Sequence, residues 1–235
     1  MKKFLVVFSA FMLLLGLSGA AGAYTITYDF VTSGNQFTSP YALLPSFVTE
    51  NFEDDIANAG NLPGSPWTWL GNAVVLKGDV SGMASAPFGV STKDTSNYVS
   101  IPELNAGSTV ANTVAVTNLG GTYNYFGIWW GSVDDYNTLS FYRGGVQVAS
   151  FTGSQALAPS DANGNQQAPG TNLYVNFLNL PLYDEFRMSS WQSPAAGIPY
   201  AFEADNITAG VVPEPTTLLL LGLGLVGLAG IRRKL

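Results

Sequence analysis

Between residues 24 and 212, apolar and polar residues alternate in short runs that glycine, proline, asparagine or aspartate separate. In Thr25–Val31, threonine and aspartate interleave with isoleucine, tyrosine and phenylalanine. A period of two is typical of a strand with one face toward solvent. The region shows no convincing amphipathic helix pattern, so the sequence predicts an all-β domain.

The predicted strands are short and many. They are Tyr24–Val31, Ser46–Phe52, Ala73–Leu76, Tyr98–Ile101, Val110–Thr117, Tyr125–Trp130, Thr138–Tyr142, Val146–Thr152, Leu173–Leu178, Glu185–Ser189 and Tyr200–Ile207. Gly144 and Gly145 predict a tight hairpin turn, because glycine adopts positive φ freely. Ser154–Thr171 predicts a long polar loop. Many strands without helices between them favour an antiparallel β-sandwich or jelly roll.

The N-terminal 23 residues have a different pattern. Lys2 and Lys3 precede an apolar stretch, Phe4–Leu17, and small residues follow up to Ala21 and Ala23. This is the layout of a secretory signal peptide, cleaved after Ala23. An uncleaved N-terminal anchor is the alternative, which the small-residue ending disfavours.

The C-terminal segment 213–235 is also distinct. Pro213 and Pro215 fix their own φ and restrict the residues before them, so the backbone around Glu214 should stay extended and accessible. With the two threonines before it, the apolar run Leu218–Ile231 approaches the ~20 residues of a membrane helix. The terminal cations favour the cytoplasmic side of the membrane; they are Arg232, Arg233 and Lys234. A plain membrane anchor would explain the run and the cations but not the rigid acidic motif.

These three parts in this order resemble the PEP-CTERM sorting signal of Gram-negative bacteria. The resemblance implies processing by an exosortase, a membrane-embedded enzyme, while a C-terminal helix holds the protein transiently in the inner membrane. It also implies export to the cell surface or the exopolysaccharide matrix. Residues 24–212 would then be the exported domain, with Thr208–Val212 at its end as a short tether.

Charge and composition narrow the chemistry of the exported domain. It keeps four of the nine basic residues and fifteen of the sixteen acidic ones, a formal charge of 4 − 15 = −11. Nucleic acid is therefore a poor partner. The chain has no cysteine and no histidine, which excludes disulfides, Ser-His-Asp triads and the usual zinc sites. Carboxylate chemistry and oxygen-ligand metals remain.

The segment Tyr123–Thr138 is the most aromatic part of the domain and looks like one found in exosortase-dependent surface proteins. Alternation places Phe126, Ile128 and Trp130 on one face and the side chains of Tyr125 and Trp129 on the other. One face must be core. The other is either a sugar-stacking platform or the second buried face of a central strand. The candidate glycan contacts are Tyr125, Trp129, Trp130 and Tyr136.

Acidic residues near both ends of the domain are candidate metal ligands. An early Phe-Glu and a late Asp-Asn strand resemble calcium-stabilised jelly-roll carbohydrate-binding modules, which implies Glu53 and Asp205 as ligands with Asn206 in support. Alternation puts Glu203, Asp205 and Ile207 on one face of the last strand, with Phe202, Ala204 and Asn206 on the other. A solvated acidic edge strand explains the pattern equally well.

No catalytic residue is assigned, because neighbouring carboxylates on a strand point to opposite faces and cannot act as an acid/base pair. We therefore expect a non-enzymatic exported protein with a structural or adhesive role. A lectin-like carbohydrate-binding module is the alternative. A secreted glycoside hydrolase would need two carboxyls facing each other across a cleft, at least one with a raised pKa.

Overall fold

The structure is a computed structural model that describes residues 24–55, 62–102, 112–158, 160–190 and 200–213. Its strands, in chain order, are β1 (Thr25–Thr27), β2 (Val31–Ser33), β3 (Gln36–Thr38), β4 (Phe47–Glu50), β5 (Thr68–Leu70), β6 (Val74–Lys77), β7 (Asn97–Pro102), β8 (Asn112–Thr117), β9 (Tyr125–Gly131), β10 (Asn137–Arg143), β11 (Val146–Thr152), β12 (Leu173–Leu178), β13 (Glu185–Ser190) and β14 (Ala201–Gly210). One helical turn, α1 (Gly153–Ala156), and a 3₁₀ turn at Pro169–Thr171 accompany them. The predicted all-β class is confirmed for the described residues.

The larger sheet has the strand order β1-β12-β9-β14-β7-β6, and β4 also pairs with β14. Strand β14 is ten residues long, so β7 pairs with its first half and β4 with its second half along the same edge. Strand β9 pairs along the other edge. All of these pairs are antiparallel. The last of the described strands therefore lies in the middle of the sheet.

The smaller sheet has the order β11-β10-β13-β8-β5. Its β10–β11 hairpin turns at Gly144 and Gly145, whose φ angles of 55° and 79° suit glycine far better than other residues. Arg143 and Val146 pair directly across this turn. The predicted hairpin is confirmed.

Side chains from both sheets form one apolar core. Phe126 of β9 packs edge-on against Phe186 of β13, with ring centroids 4.8 Å apart. Trp130 stacks on Phe202 of β14 at 4.6 Å. Full burial of one such side chain contributes roughly 1.5–3 kcal/mol. Burial of these apolar side chains is thus the main interaction that holds the two sheets together.

Three strands were not predicted from the sequence, namely β2, β3 and β5. Each has three residues, which is too few for an alternating pattern to be recognised. The loop Ser154–Thr171 is less open than predicted. Short helical turns lie at both ends of it, and Ala162 and Thr171 are buried.

The targeting segments lie largely outside the described residues. This applies to Ala21 and Ala23 of the signal peptide and, of the C-terminal segment, to Glu214, Pro215, Arg232, Arg233 and Lys234; Pro213 alone of the Pro-Glu-Pro motif is described. In the part of the chain that is described, none of the helices is long and apolar enough to cross a membrane. The cleavage site and the membrane helix stay predictions.

Candidate functional site

The outer face of the larger sheet is buried even though it is polar. On β14, Glu203 and Asp205 point to this face, opposite the core residue Phe202, and are 4% and 0% exposed. The β2–β3 hairpin covers part of the face, since Phe37 packs on Trp129 with ring centroids 5.4 Å apart. Burying carboxyl groups is costly unless they are paired or hydrogen-bonded. The outer face is therefore where a functional site is expected.

A β-bulge at Asn206 breaks the alternation predicted for β14. Asn206 has a φ of 48°, and the pairing with β9 shifts between Asp205 and Thr208. The extra residue moves Ile207 into the core. The prediction that Ile207 shares a face with Glu203 and Asp205 is therefore wrong, whereas the common face of the two carboxyls is as predicted.

A pocket of about 740 Å³ opens beside Glu203, and we call it the Glu203 pocket. Four segments line it: the loop after β6, the turn after β9, the loop after α1, and the start of β14. The lining residues are Asp79–Ser85, Ser132, Asp134, Tyr136, Asn163, Gly164, Gln166, Tyr200, Ala201 and Glu203. The volume falls within the range of small-ligand sites.

Both carboxylate oxygens of Glu203 are engaged at the wall of this pocket. Oε1 accepts the backbone N–H of Ser85 at 3.1 Å, and Oε2 accepts the hydroxyl of Ser132 at 3.2 Å. Burial raises the pKa of Glu203 to about 7, and the charge of Asp134 adds to the effect. Glu203 thus titrates near neutral pH, and its protonated form can donate a hydrogen bond.

Asp134 and Tyr136 form a second polar group in the pocket. The Tyr136 hydroxyl donates to Asp134 Oδ2 at 2.5 Å. Burial raises the pKa of Asp134 to about 6, and the charge of Asp135 acts in the same direction. The Tyr136 ring is half-buried and packs edge-on against Tyr200 at 5.7 Å. The structure thus places one predicted glycan contact, Tyr136, at the pocket.

Acidic side chains outnumber basic ones at the pocket, which is therefore negative once its carboxyls are ionised. Asp79, Asp134 and Glu203 line it, and the neighbouring Lys93 already binds Asp79 at 2.7 Å. Anionic ligands would be repelled. A neutral ligand with hydroxyl groups would find acceptors in these carboxylates and amide donors such as Gln166.

The other predicted glycan contacts are buried. Tyr125, Trp129 and Trp130 are 0% exposed. A ring without solvent exposure cannot stack on a sugar, so the structure gives the platform no support at these three positions. The alternative, a central strand covered on both faces, describes β9.

The predicted calcium ligands serve other contacts. Glu53 is exposed, and its Oε1 accepts the backbone N–H of Asn97 at 3.0 Å. The side-chain N–H of Asn206 donates to the carbonyl of Phe37 at 3.1 Å. Among the described residues, no group of three or more Asp, Glu, His or Cys side chains could hold a metal ion. The calcium site therefore gains no support from the structure.

Asp205 instead meets a second buried carboxyl, that of Asp94, which is 2% exposed. Asp94 Oδ1 accepts the N–H of Ser96 at 3.0 Å, and Asp205 Oδ1 accepts the N–H of Asn206 at 2.6 Å. The Oδ2 atom of each carboxyl has no donor among the described residues. Burial, together with the Asp94 carboxyl and the nearby charge of the predicted ligand Glu53, raises the pKa of Asp205 well above its usual range. A protonated Asp205 could donate from Oδ2, which would satisfy this oxygen.

Sequence reasoning missed Ser85, Ser132 and Asp94. Ser132 lies in the aromatic segment Tyr123–Thr138, but no pattern assigns a contact to any of the three, and the hydrogen bond from Ser85 to Glu203 spans 118 positions. The only available signal was the unusual polarity of the last strand, which indicates that something must cover Glu203 and Asp205. It does not say which loop does so.

Comparisons with known proteins relate the C-terminal segment to a family. Residues 211–234 match the family model of the PEP-CTERM protein-sorting motif. No curated protein sequence matches the chain.

Among solved structures, the chain is similar to adhesin domains and to a glucanase. The K2 cleaved adhesin domain of Lys-gingipain has 15% identity and a TM-score of 0.41, over 70% of this chain and 99% of that domain. The K1 cleaved adhesin domain of Lys-gingipain from Porphyromonas gingivalis W83 has 11% identity and a TM-score of 0.39, over 72% and 99%. The catalytic domain of a GH87 α-1,3-glucanase in complex with nigerose has 16% identity and a TM-score of 0.36, over 72% and 29%. Similarities this low carry no argument about function.

The family match covers the residues on which the sequence resemblance was based, including Pro213, Glu214 and Pro215. A PEP-CTERM motif implies an exported protein that an exosortase processes and sorts to the cell surface. Residues 211–234 therefore carry a PEP-CTERM sorting motif.

Proposed function

We propose that this protein is a non-enzymatic component of the cell surface or the exopolysaccharide matrix, where it acts structurally or as an adhesin by binding a neutral saccharide in the Glu203 pocket. A β-sandwich of the jelly-roll type would be the scaffold. The observation that carries the proposal is the pocket itself, which combines about 740 Å³ of space with a mixed polar lining.

The chemistry of the pocket matches that of a saccharide. Sugar hydroxyls both donate and accept hydrogen bonds, and the pocket offers carboxylates, serine hydroxyls and side-chain amides. The half-buried ring of Tyr136 adds an apolar surface against which the C–H groups of a sugar could pack. Because Asp79, Asp134 and Glu203 make the site negative, neutral polysaccharides fit better than acidic ones.

A glycoside hydrolase is the second candidate. Two carboxyls with raised pKa values, Glu203 and Asp134, line one pocket, as such an enzyme requires. Against this, Ser85 and Ser132 already engage both oxygens of Glu203, and Tyr136 engages Asp134. These hydrogen bonds hold both carboxyls in fixed positions as part of the pocket lining. For this reason we prefer binding without turnover as the function.

Calorimetric titration of the full chain in detergent with neutral oligosaccharides tests the proposal. We expect the variant Gln166→Ala to bind roughly 2- to 10-fold more weakly, because it removes an amide hydrogen bond. Gln167→Ala is the matched control, since this neighbouring amide is equally exposed but does not line the pocket. The proposal fails if the wild-type protein binds no neutral saccharide, or if both variants bind like the wild type.

Product analysis of the same mixtures separates the two candidates. Binding without turnover predicts intact oligosaccharides after prolonged incubation. Hydrolysis that disappears in Glu203→Gln would establish the glycosidase instead. Glu203→Gln is close in shape to the wild type, and its amide can still accept from Ser85.

A further inference from the structure

A single asparagine holds the end of the folded domain. Asn124 lies just before β9, and its side-chain amide pairs with the backbone of Val212 like a strand residue. Its Nδ2–H donates to the Val212 carbonyl at 2.9 Å, and its Oδ1 accepts the Val212 N–H at 2.8 Å. The backbone N–H of Asn124 donates to the Gly210 carbonyl at 3.2 Å. We call these three bonds the Asn124 clamp.

The end of β14, which leads into the clamp, is also held by side-chain packing. A Cβ at Gly210 would lie 2.3 Å from the Phe47 ring, so the ring packs directly on the backbone. Phe47 stacks on Tyr41 at 5.4 Å and meets Tyr125 edge-on at 5.3 Å. The end of β14 therefore cannot slide without breaking this aromatic cluster.

The clamp removes most of the tether predicted from the sequence. Thr208 and Gly210 belong to β14, and Val212 is held, so the prediction of a tether at Thr208–Val212 is wrong. Glu214 follows Val212 by two residues, which limits it to about 7 Å from that Cα. The five residues 213–217 span at most about 18 Å before the apolar run begins.

We propose that Asn124 is a positioning residue for exosortase processing: the clamp presents the sorting motif at a fixed place beside the folded domain. A motif whose base is already ordered loses less conformational entropy when the enzyme binds it. The ring of Pro213, directly after the clamp, extends the same rigidity toward Glu214. This inference depends on exosortase sorting and not on saccharide binding in the Glu203 pocket.

Pulse-chase labelling of the full chain in its host cells measures the effect as the half-life of the unprocessed form. We expect Asn124→Ala to lengthen this half-life roughly 5- to 30-fold, the factor that corresponds to the backbone entropy of about one residue. Asn124→Asp should also slow processing, because it loses the donor to the Val212 carbonyl and sets a carboxylate oxygen against that carbonyl. Asn51→Ala, which changes an exposed asparagine far along the chain from the clamp, should process at the wild-type rate.

A second variant separates positioning from folding. A Gly-Ser insertion between Val212 and Pro213 leaves the clamp and the domain intact but frees the motif, and we expect it to slow processing to a similar extent. The inference is overturned if Asn124→Ala matures at the wild-type rate, or if the insertion has no effect while Asn124→Ala does. If Glu214→Ala is processed normally, exosortase recognition of this motif is itself contradicted.

Discussion

The two faces of the larger sheet are both buried, but different forces bury them. On the inner face, Phe126 and Trp130 pack against aromatic rings of both sheets. On the outer face, the same strands present Glu203, Asp205 and Tyr125 to loops that lie across them. Consecutive residues of one strand thus enter an apolar core and a polar layer.

The two faces therefore differ in how their side chains are stabilised. An apolar side chain on the inner face gains free energy wherever the sheets meet. A buried carboxyl on the outer face is stabilised only when a hydrogen-bond donor lies beside it. Asp205 Oδ2 has no such donor among the described residues. The outer face is thus the layer whose stability should depend on pH, because its buried carboxyls have raised pKa values.

The inner face should show the largest effect of a single truncation. We expect Phe126→Ala to lower the free energy of unfolding by about 3–5 kcal/mol, because it leaves a cavity between rings of both sheets. Urea denaturation measures the change. An effect below about 1 kcal/mol would mean that the two sheets do not share the core described above.

The outer face should make stability depend on pH through Glu203. The pKa of this carboxyl rises from 4.5 in the unfolded chain to about 7 when folded, so the folded state holds the proton more tightly. Its contribution is complete below about pH 4.5 and is lost as the pH rises to about 7, a fall of about 3 kcal/mol. Denaturation at pH 4.5 and pH 8 should show a smaller fall for Glu203→Gln. Equal falls in the two proteins would contradict the assignment.

A hydroxyl on the outer face should matter more than a hydroxyl at the surface. Tyr125 donates to Asn176 Oδ1 at 2.6 Å, and its oxygen also contacts the Ser39 hydroxyl at 2.6 Å. We expect Tyr125→Phe to cost about 2 kcal/mol, because it leaves buried polar atoms without a partner. Tyr142→Phe, which removes an exposed bond to Gln147, should cost under about 0.5 kcal/mol. Similar losses in thermal melts would remove the distinction.

The smallest expected change is a gain. Asp94→Asn should raise the free energy of unfolding at pH 8 by about 1 kcal/mol, because an amide can donate to Asp205 Oδ2 where a carboxylate cannot. The gain should vanish at acid pH, where Asp205 is protonated and can itself donate from Oδ2. A wild-type melting temperature that falls on addition of a chelator would reveal a bound cation and contradict the protonation of Asp205.

Much of the fold is visible in the sequence because alternation is a local property. The β10–β11 hairpin follows from Gly144 and Gly145, and the common face of Glu203 and Asp205 follows from their spacing. The bulge at Asn206 could not be predicted, because one extra residue moves Ile207 into the core without any local signal. The short strand β3 could not be predicted either, because it is held by packing of Phe37 on Trp129, which is far away in the sequence.

The sequence by itself determined the sorting signal, since the Pro-Glu-Pro motif, the apolar run and the basic end are consecutive in the chain. It also determined the β class and the acidic character of the domain. Only the tertiary structure decided which polar groups meet: Ser85 with Glu203, Asp94 with Asp205, and Asn124 with Val212. The physical reason is that each contact joins residues far apart in the chain. Its energy depends on a loop or strand end that the packing of the two sheets brings into place.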